Sequence, residues 1–556
     1  MKQNKLMPVG VEDFKTLRER YYFVDKTKFI QELIDGHSAV TLITRPRRFG
    51  KTLTMSMLYY FFTNENVEEN RKLFDGCAIA EAGEEYIAEQ GTRPVVFLTL
   101  KDVKGDSFDS LMASMQIVLQ RLFLQFRHIL KSDALDEAEK KLFGKIKDME
   151  ASVDYMQFSL SALTDYLQRY YGRTVLLLID EYDAPIQSAW EHGYYDKAIG
   201  FFRNFLSAAL KTNLALDFAV LTGVLRISKE SIFSALNNLD VSSVVNGAYS
   251  DVMGFTTREV EKMAADLGHT DKMKELRDWY DGYTFSGQEI YNPWSVIRYF
   301  GEGCKPGTYW VNTSGNSILK TMLLRVDENR KRDLVGLMQG RTVRSVLDEG
   351  LIYEDIYKDK DALYTMLLTT GYLKCVGQKL EHGREWSELS IPNKEIRSLF
   401  DREIIRNLSG NTGESTVFQM LDAMLCGDKD SFADTLRFIL RENASVHDTA
   451  YPETFYHGMM LGFSLLLDGR YEIESNRESG YGRFDLAFIP KDTGKAGVIL
   501  EFKKAQTESE LGSKAEEAVR QIEEKEYAAS LKKRGIQTIW KYGIAFCGKR
   551  LELLQG

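Results

Sequence analysis

Three short stretches of this 556-residue chain place residue types at spacings that could do chemistry. The first is Arg45-Pro46-Arg47-Arg48-Phe49-Gly50-Lys51-Thr52, whose last three residues form the second half of the phosphate-binding pattern G-x-x-x-x-G-K-[ST]. The second is VLLLIDEYD (175–183), which sets Asp180 and Glu181 directly after an apolar run. The third is Asp485, followed in the next apolar segment by Glu501-Phe502-Lys503. The first two suit a nucleoside triphosphate, and the third suits metal-assisted attack of water at a phosphate.

A phosphate loop needs a strand to aim it, backbone N–H groups around a concavity, and a helix N-terminus facing the anion. Here VTLIT (40–44) aims the loop, Gly50 lets the backbone approach closely, and a helix opens at Lys51. Lys51 would reach the outer phosphates of ATP, and the Thr52 hydroxyl would ligate Mg²⁺. Arg47, Arg48 and Phe49 complete the loop, and Arg45, Arg47 and Arg48 add positive charge beside it. Asp180 would hold the metal and Glu181 would orient the attacking water, with a helix cap or loop carboxylate pair as the plainer reading. In LDFAVLTGVLR (216–226), Thr222 would sense the γ-phosphate. Arg226 would touch that phosphate or form a surface ion pair. Arg45 stands where the first glycine usually permits a tight turn, and Arg45-Pro46 predicts a stiffer, more extended start.

Alternate residues of a strand share a face. Glu501 and Lys503 therefore point one way, with Phe502 buried behind them. Two carboxylates on adjacent strands, Asp485 and Glu501, can hold Mg²⁺, which takes oxygen ligands. Lys503 would position water and offset charge developing on a phosphate. An Asp and a Glu-x-Lys on exposed strand faces also arise by chance. Glu501 nevertheless follows GVIL directly, where a charge at a strand end needs a reason.

These groups need elements to hold them. SAVTLITR (38–45), PVVFLTL (94–100), TVLLLIDEYD (174–183) and LDFAVLTGVLR (216–226) read as buried strands separated by helices. Continuous apolar strands of this kind predict a parallel sheet covered on both faces. Residues 251–320 read as helical, with aromatic-rich segments. A helix, a strand and a strand within 361–397 suggest a winged-helix unit. Residues 400–450 read as helical, and 451–556 as a last α/β unit. The expected domains are thus an ATPase core (1–250), a lid (251–320), a winged-helix-like unit (321–400), a helical connector (401–450) and a C-terminal α/β domain (451–556).

The formal net charge is −9, which argues against indiscriminate coating of nucleic acid and leaves room for a local basic groove. The five cysteines are dispersed with no CxxC pair, so a disulfide framework or a structural zinc is not expected. No apolar run approaches the roughly 20 residues that span a bilayer, and MKQNKLMPVGVEDF lacks a signal-peptide core. The expected compartment is the cytoplasm. Nothing in the pattern specifies an oligomer.

The stretches 7–34, 42–58, 177–186, 221–239 and 279–300, which include LITRPRRFGKTLTMSML and LLLIDEYDAPI, resemble the bacterial AAA-ATPase-like family. In that family the Arg-Pro-Arg-Arg form of the loop looks normal. The resemblance implies a P-loop NTPase fold with a helical lid. FVDKT (23–27) lies where related ATPases hold the base, so Asp25 either contributes there or caps a helix. The C-terminal residues are similar to the PD-(D/E)XK nuclease superfamily, with Asp485, Glu501 and Lys503 matching its motif and Phe484 departing from its proline. That resemblance implies a restriction-endonuclease-like domain, a further metal ligand at Glu453, and a Q-x-x-x-Y helix in AVRQIEEKEY (518–527). Gln521 matches, but Lys525 holds the place of the tyrosine and Tyr527 follows. His457 reads as a structural residue or a helper beside Glu453.

The expectation is an ATPase coupled to a Mg²⁺-dependent endo- or exodeoxyribonuclease, with DNA expected before RNA; the winged-helix unit supports contact with DNA, although such units also serve as protein contacts. Two alternatives stand beside it. One is a nucleotide-switched binding or scaffold protein with an inert nuclease fold. The other is an ATP-dependent DNA-binding regulator.

Overall fold

A computed structural model describes residues 6–226, 239–310, 333, 336–338, 340–348, 350, 359–409, 413–443, 454–467, 470–475, 478–479, 482–483 and 485–556. The chain divides into two compact units. The first comprises 1–316 with 342–396, and the second comprises 317–341 with 397–556.

The first unit is built on a five-stranded parallel sheet: β1 (Val40–Thr44), β2 (Val95–Thr99), β3 (Val175–Asp180), β4 (Leu216–Gly223) and β5 (Leu239–Ser242). The spatial order is β2-β3-β4-β1-β5. Every residue of β1 and β3 is buried, as the unbroken apolar runs predict for strands covered on both faces. β4 lies between β1 and β3, pairing Ile43 with Thr222 on one side and Ile179 with Leu221 on the other. The register therefore brings the C-terminal ends of β1, β3 and β4 together, which is where ligands bind in such sheets.

The segment expected to be helical at 251–320 also contains a small antiparallel sheet: β6 (Phe255–Thr256), β7 (Tyr283–Phe285) and β8 (Gln288–Tyr291). Ser286 and Gly287 both have positive φ, 47° and 85°. That conformation suits a tight two-residue hairpin turn and turns an aromatic run into strands. A second antiparallel sheet joins β9 (Val343–Val346), β10 (Lys374–Glu381) and β11 (Arg384–Ser390) in the order β10-β11-β9, with helix Lys360–Thr369 leading into the hairpin.

The second unit carries a mixed sheet. Its chain order runs β12 (Tyr471–Ser475), a two-residue ladder β13 (Glu478–Ser479) with β14 (Gly482–Arg483), β15 (Leu486–Pro490), β16 (Gly497–Lys504), β17 (Ile539–Cys547) and β18 (Arg550–Gln555). The sheet order is β12-β15-β16-β17-β18, with β16 and β17 parallel and the remaining pairs antiparallel. Strand parity sorts its two faces. Val498, Leu500 and Phe502 pack into one core with helices Glu414–Cys426, Lys429–Asn443 and Thr454–Ser464, whereas Ile499 packs with Ile522, Tyr527 and Leu531 on the other side. Helices 414–426 and 429–443 thus share the core of the sheet, and Tyr542 and Trp540 tie to them by hydrogen bonds to Met424 O and Leu425 O.

Candidate active sites

At the end of β1 the chain turns through Arg45–Gly50 into helix Lys51–Phe62. Gly50 caps that helix with φ 90°, and Arg48 has φ 67°. Such left-handed residues turn successive N–H groups into a shared concavity. The Lys51 ammonium is buried and donates to the carbonyls of Arg45 (3.0 Å) and Pro46 (2.9 Å). Burial pulls its pKa down, while the charges of Glu181, Asp183 and Asp180 push it up. Thr52 Oγ1 donates to Asp180 Oδ2 at 2.7 Å, and Thr222 Oγ1 donates to Asp180 Oδ1 at 2.5 Å. Asp180 is fully buried, and desolvation raises its carboxyl pKa against those two hydrogen bonds. The loop hydroxyl, the strand-end carboxylate and the neighbouring-strand hydroxyl therefore meet on one carboxyl group.

Glu181 follows with φ 52°, a costly conformation for a residue with a Cβ. Asp183 carries a role that sequence reasoning missed. Its Oδ2 accepts from the backbone N–H of Val224 and Leu225, both at 2.9 Å, and so fixes the turn that leads to Arg226. A Cβ at Gly223 would come within 2.7 Å of both Asp183 and the Tyr182 ring, so glycine lets the two segments touch. The recurrence of Asp three residues after Asp180 was the available signal.

The second site lies on the Ile499 face of β16. Glu501 is 2% exposed. Its Oε1 accepts from Lys503 Nζ at 3.2 Å and from the Gln521 side-chain amide, while its Oε2 is buried without a hydrogen-bond partner among the described residues. Burial, and then the charge of Asp485, push its carboxyl up to about 8. Asp485 lies one residue ahead of β15, not within a strand as expected. Its Oδ2 accepts from Phe502 N–H at 2.8 Å, which fixes it beside Glu501, and burial raises its pKa as well.

Gln521 comes from helix Leu511–Glu524, which crosses β17 at Gly543. Gly543 pairs with Glu501 in register. The helix ends in a Schellman motif, with Tyr527 N–H bonded to Ile522 O and Glu526 N–H to Glu523 O while Glu526 has φ 52°. That reversal returns the Tyr527 hydroxyl to 3.0 Å from Gln521 Nε2. The tyrosine displaced by two residues in sequence is brought to the glutamine in space.

Residues 8–233 match the family described as Predicted AAA-ATPase, and residues 451–555 match the PD-(D/E)XK nuclease superfamily. The chain joins an AAA-ATPase-like domain to a nuclease-superfamily domain. It is also similar, at 25% identity, to a protein of Azotobacter chroococcum mcd 1 described as an uncharacterized protein in the vnfD 5′ region. That match covers 98% of this chain and 96% of the relative.

Several expected residues of the AAA-ATPase-like domain sit differently from the sequence reading. The Arg45 side chain does not line the concavity of the loop, because its guanidinium is wholly buried and donates to Thr44 O (2.9 Å), Ser242 O (2.9 Å), Ser242 Oγ (3.0 Å) and Tyr249 O (2.8 Å). It is a strut from the loop to β5. Arg47 donates to Gln187 Oε1 at 2.8 Å, and Arg48 lies over the Trp294 ring at 4.4 Å. The Phe49 side chain packs on Tyr283 and Phe285, so only its backbone faces the loop. Asp25 accepts from Thr27 N–H (2.8 Å) and Oγ1 (2.7 Å) and from Ala78 N–H (2.7 Å), which makes it a turn staple with no carboxylate oxygen left over. Arg226 follows the Asp183-bound turn, and its Nε is buried without a partner among the described residues.

In the nuclease-superfamily domain the structure brings together Asp485, Glu501, Lys503 and Gln521. Glu453 lies outside the described residues, as does Phe484. His457 Nε2 donates to Asp485 O (3.1 Å), and the ring packs edge-on to Phe502, so it supports the backbone of the site. Among the described residues no group of three or more His, Cys, Asp or Glu side chains is placed to hold a metal ion, and no helix is long and apolar enough to cross a membrane.

Proposed function

We propose that this chain is an ATPase coupled to a Mg²⁺-dependent nuclease acting on DNA. The observation that carries the nuclease reading is the Glu501 carboxylate. One oxygen is fixed by Lys503 and Gln521, and the other is buried with no hydrogen-bond donor among the described residues. A buried acceptor left this way costs about 1–3 kcal/mol unless something else satisfies it. A divalent cation fits: Mg²⁺ is commonly held by one or two carboxylates and keeps several waters. Asp485 and Glu501 would hold it, and when bound it supplies a water of lowered pKa and positive charge at the phosphate. Lys503 offsets charge on the phosphate as the bond to the leaving oxygen lengthens. Gln521, oriented by Tyr527, keeps Glu501 in one rotamer, and the Phe502 N–H does the same for Asp485.

In the AAA-ATPase-like domain the loop N–H groups and Lys51 would hold the phosphates of ATP, with Thr52 and Asp180 as the ligands of its Mg²⁺. Glu181 orients the attacking water, and Thr222 and Arg226 face the γ-phosphate. Backbone contributions from Arg47, Arg48 and Phe49 complete the cradle. The β9–β11 sheet with helix 360–369 follows the winged-helix order, and DNA is preferred to RNA on that ground. Five free, dispersed thiols suit a reducing cytoplasm.

The test is cleavage of single-stranded DNA, duplex DNA and RNA with Mg²⁺ or Mn²⁺, with and without ATP. Wild type is compared with Glu501→Ala and Lys51→Ala. Cleavage of DNA that disappears in Glu501→Ala and changes in Lys51→Ala supports the reading. No cleavage with ATP still bound sinks it in favour of a nucleotide-switched binding protein.

A further inference from the structure

Beyond the residues of the AAA-ATPase-like match, the phosphate loop is gripped from outside. Trp310 is 1% exposed and donates its indole N–H to the Arg47 carbonyl at 2.9 Å. Its main-chain N–H donates to Glu395 Oε1 at 2.6 Å, and Glu395 Oε2 accepts from Ser295 Oγ at 2.7 Å. Glu395 itself is fully buried. Two neighbouring contacts reinforce the grip. Arg48 stacks on Trp294, and a Cβ at Gly371 would come within 3.1 Å of Pro46, so the turn before Tyr372 rests on the loop. Tyr372 packs on Trp310 with ring centres 5.5 Å apart.

The Arg47 carbonyl belongs to the same planar peptide as the Arg48 N–H, and in a trans peptide the two point in opposite directions. Pinning the carbonyl to Trp310 therefore aims the Arg48 N–H away from Trp310. Arg48 has φ 67°, the conformation that builds an anion-binding nest. The Arg45 and Pro46 carbonyls are meanwhile taken by Lys51. Each loop carbonyl from 45 to 47 thus has an assigned donor, and Trp310 is the one that does not come from the loop or its helix.

We propose that Trp310 is a positioning residue of the nucleotide site: it holds the Arg47 carbonyl so that the Arg48 N–H is presented to phosphate, and Glu395 anchors Trp310. The proposal rests on the nucleotide-binding reading above. It adds a buried carboxylate, more than 300 residues downstream, that acts on the loop through one tryptophan.

The test uses the full chain and a fluorescent ATP analogue with Mg²⁺, measured at equilibrium and by stopped flow. Trp310→Phe keeps an aromatic ring and removes the donor. The expected result is about a tenfold loss of affinity, the size of one such hydrogen bond. Glu395→Ala should match it, and Glu395→Gln should recover most of the affinity, because an amide oxygen still accepts from Trp310. Addition of unlabelled ATP should change wild-type tryptophan fluorescence, and that change should shrink in Trp310→Phe to what Trp294, stacked under Arg48, still reports. Equal affinity and rates in Trp310→Phe and wild type would overturn the proposal while leaving nucleotide binding intact. If wild type binds no nucleotide, the function reading falls and takes this proposal with it. Should Trp310→Phe fail to fold, the Glu395 pair decides: equal affinities in Gln, Ala and wild type refute the anchor.

Discussion

Gly543→Ala should silence the nuclease site without touching a charged group. A Cβ built on Gly543 lies 2.5 Å from Ala515 O and 2.7 Å from Val519 N, both backbone atoms of helix Leu511–Glu524. No side-chain rotation relieves that clash. The helix must retreat by roughly 1 Å to restore ordinary van der Waals contact. Gln521 rides on that helix and holds Glu501, which pairs with Gly543 in register. A retreat of this size stretches the amide contact beyond the usual hydrogen-bond length and leaves Glu501 Oε1 held mainly by Lys503. Overpacking of this kind costs about 1–3 kcal/mol of stability, and a misplacement near 1 Å costs on the order of 10²-fold in rate. The assay is Mg²⁺-dependent DNA cleavage by the full chain, with fluorescent ATP-analogue binding as the internal control. Cleavage should fall about a hundredfold, the melting temperature by a few degrees, and nucleotide affinity not at all. Gly543→Ala with wild-type cleavage would refute the claim that the helix positions Gln521 on Glu501.

Arg45→Gly, which restores the usual glycine at the start of the loop, should destabilise the first unit. It strips donors from Ser242 and Tyr249, and leaving such buried acceptors unpaired costs roughly 3 kcal/mol or more; thermal unfolding measures it. Asp281 gives a pH signature. It is buried, and desolvation followed by the charge of Glu289 raises its pKa to about 6. Between its unfolded value near 4 and about 6 the folded state holds the extra proton, so this contribution to stability declines as pH rises through that window. Asp281→Asn should flatten the slope in denaturant titrations at pH 4.5 and 7. A chain truncated to begin at residue 451 should be insoluble, whereas one beginning at 413 should fold. The shorter chain loses Val417, Met420, Leu421, Phe432 and Leu436 from the core of the sheet; circular dichroism of both distinguishes the cases.

Local patterns were legible where one strand or turn carried them. The four long strands of the first sheet, the helix opening at Lys51 and the Glu501/Lys503 face all follow from runs and alternation within a few residues. β5 escaped notice because Leu239–Ser242 is four residues of mixed polarity at a sheet edge. The hairpin β7–β8 was hidden because its aromatic side chains suit a helix face as well as a strand, and the Ser286-Gly287 turn decided between them. Arg45 read as surplus positive charge because nothing local shows that its partners lie near 242 and 249. The grip of Trp310 on Arg47 spans more than 260 residues, and sequence spacing carries no trace of it. Helices 414–443 read as a connector since amphipathic faces do not announce which sheet they cover.

The Schellman turn after Glu524 has a consequence for how such chains drift. A reversal at a helix end fixes where a side chain arrives by the shape of the turn and not by the count of residues before it. Insertions there can lengthen the sequence between an amide and a phenol while the two remain in touch. Related chains that lack the tyrosine at its customary interval can therefore retain the same chemistry, provided a left-handed residue precedes the aromatic one.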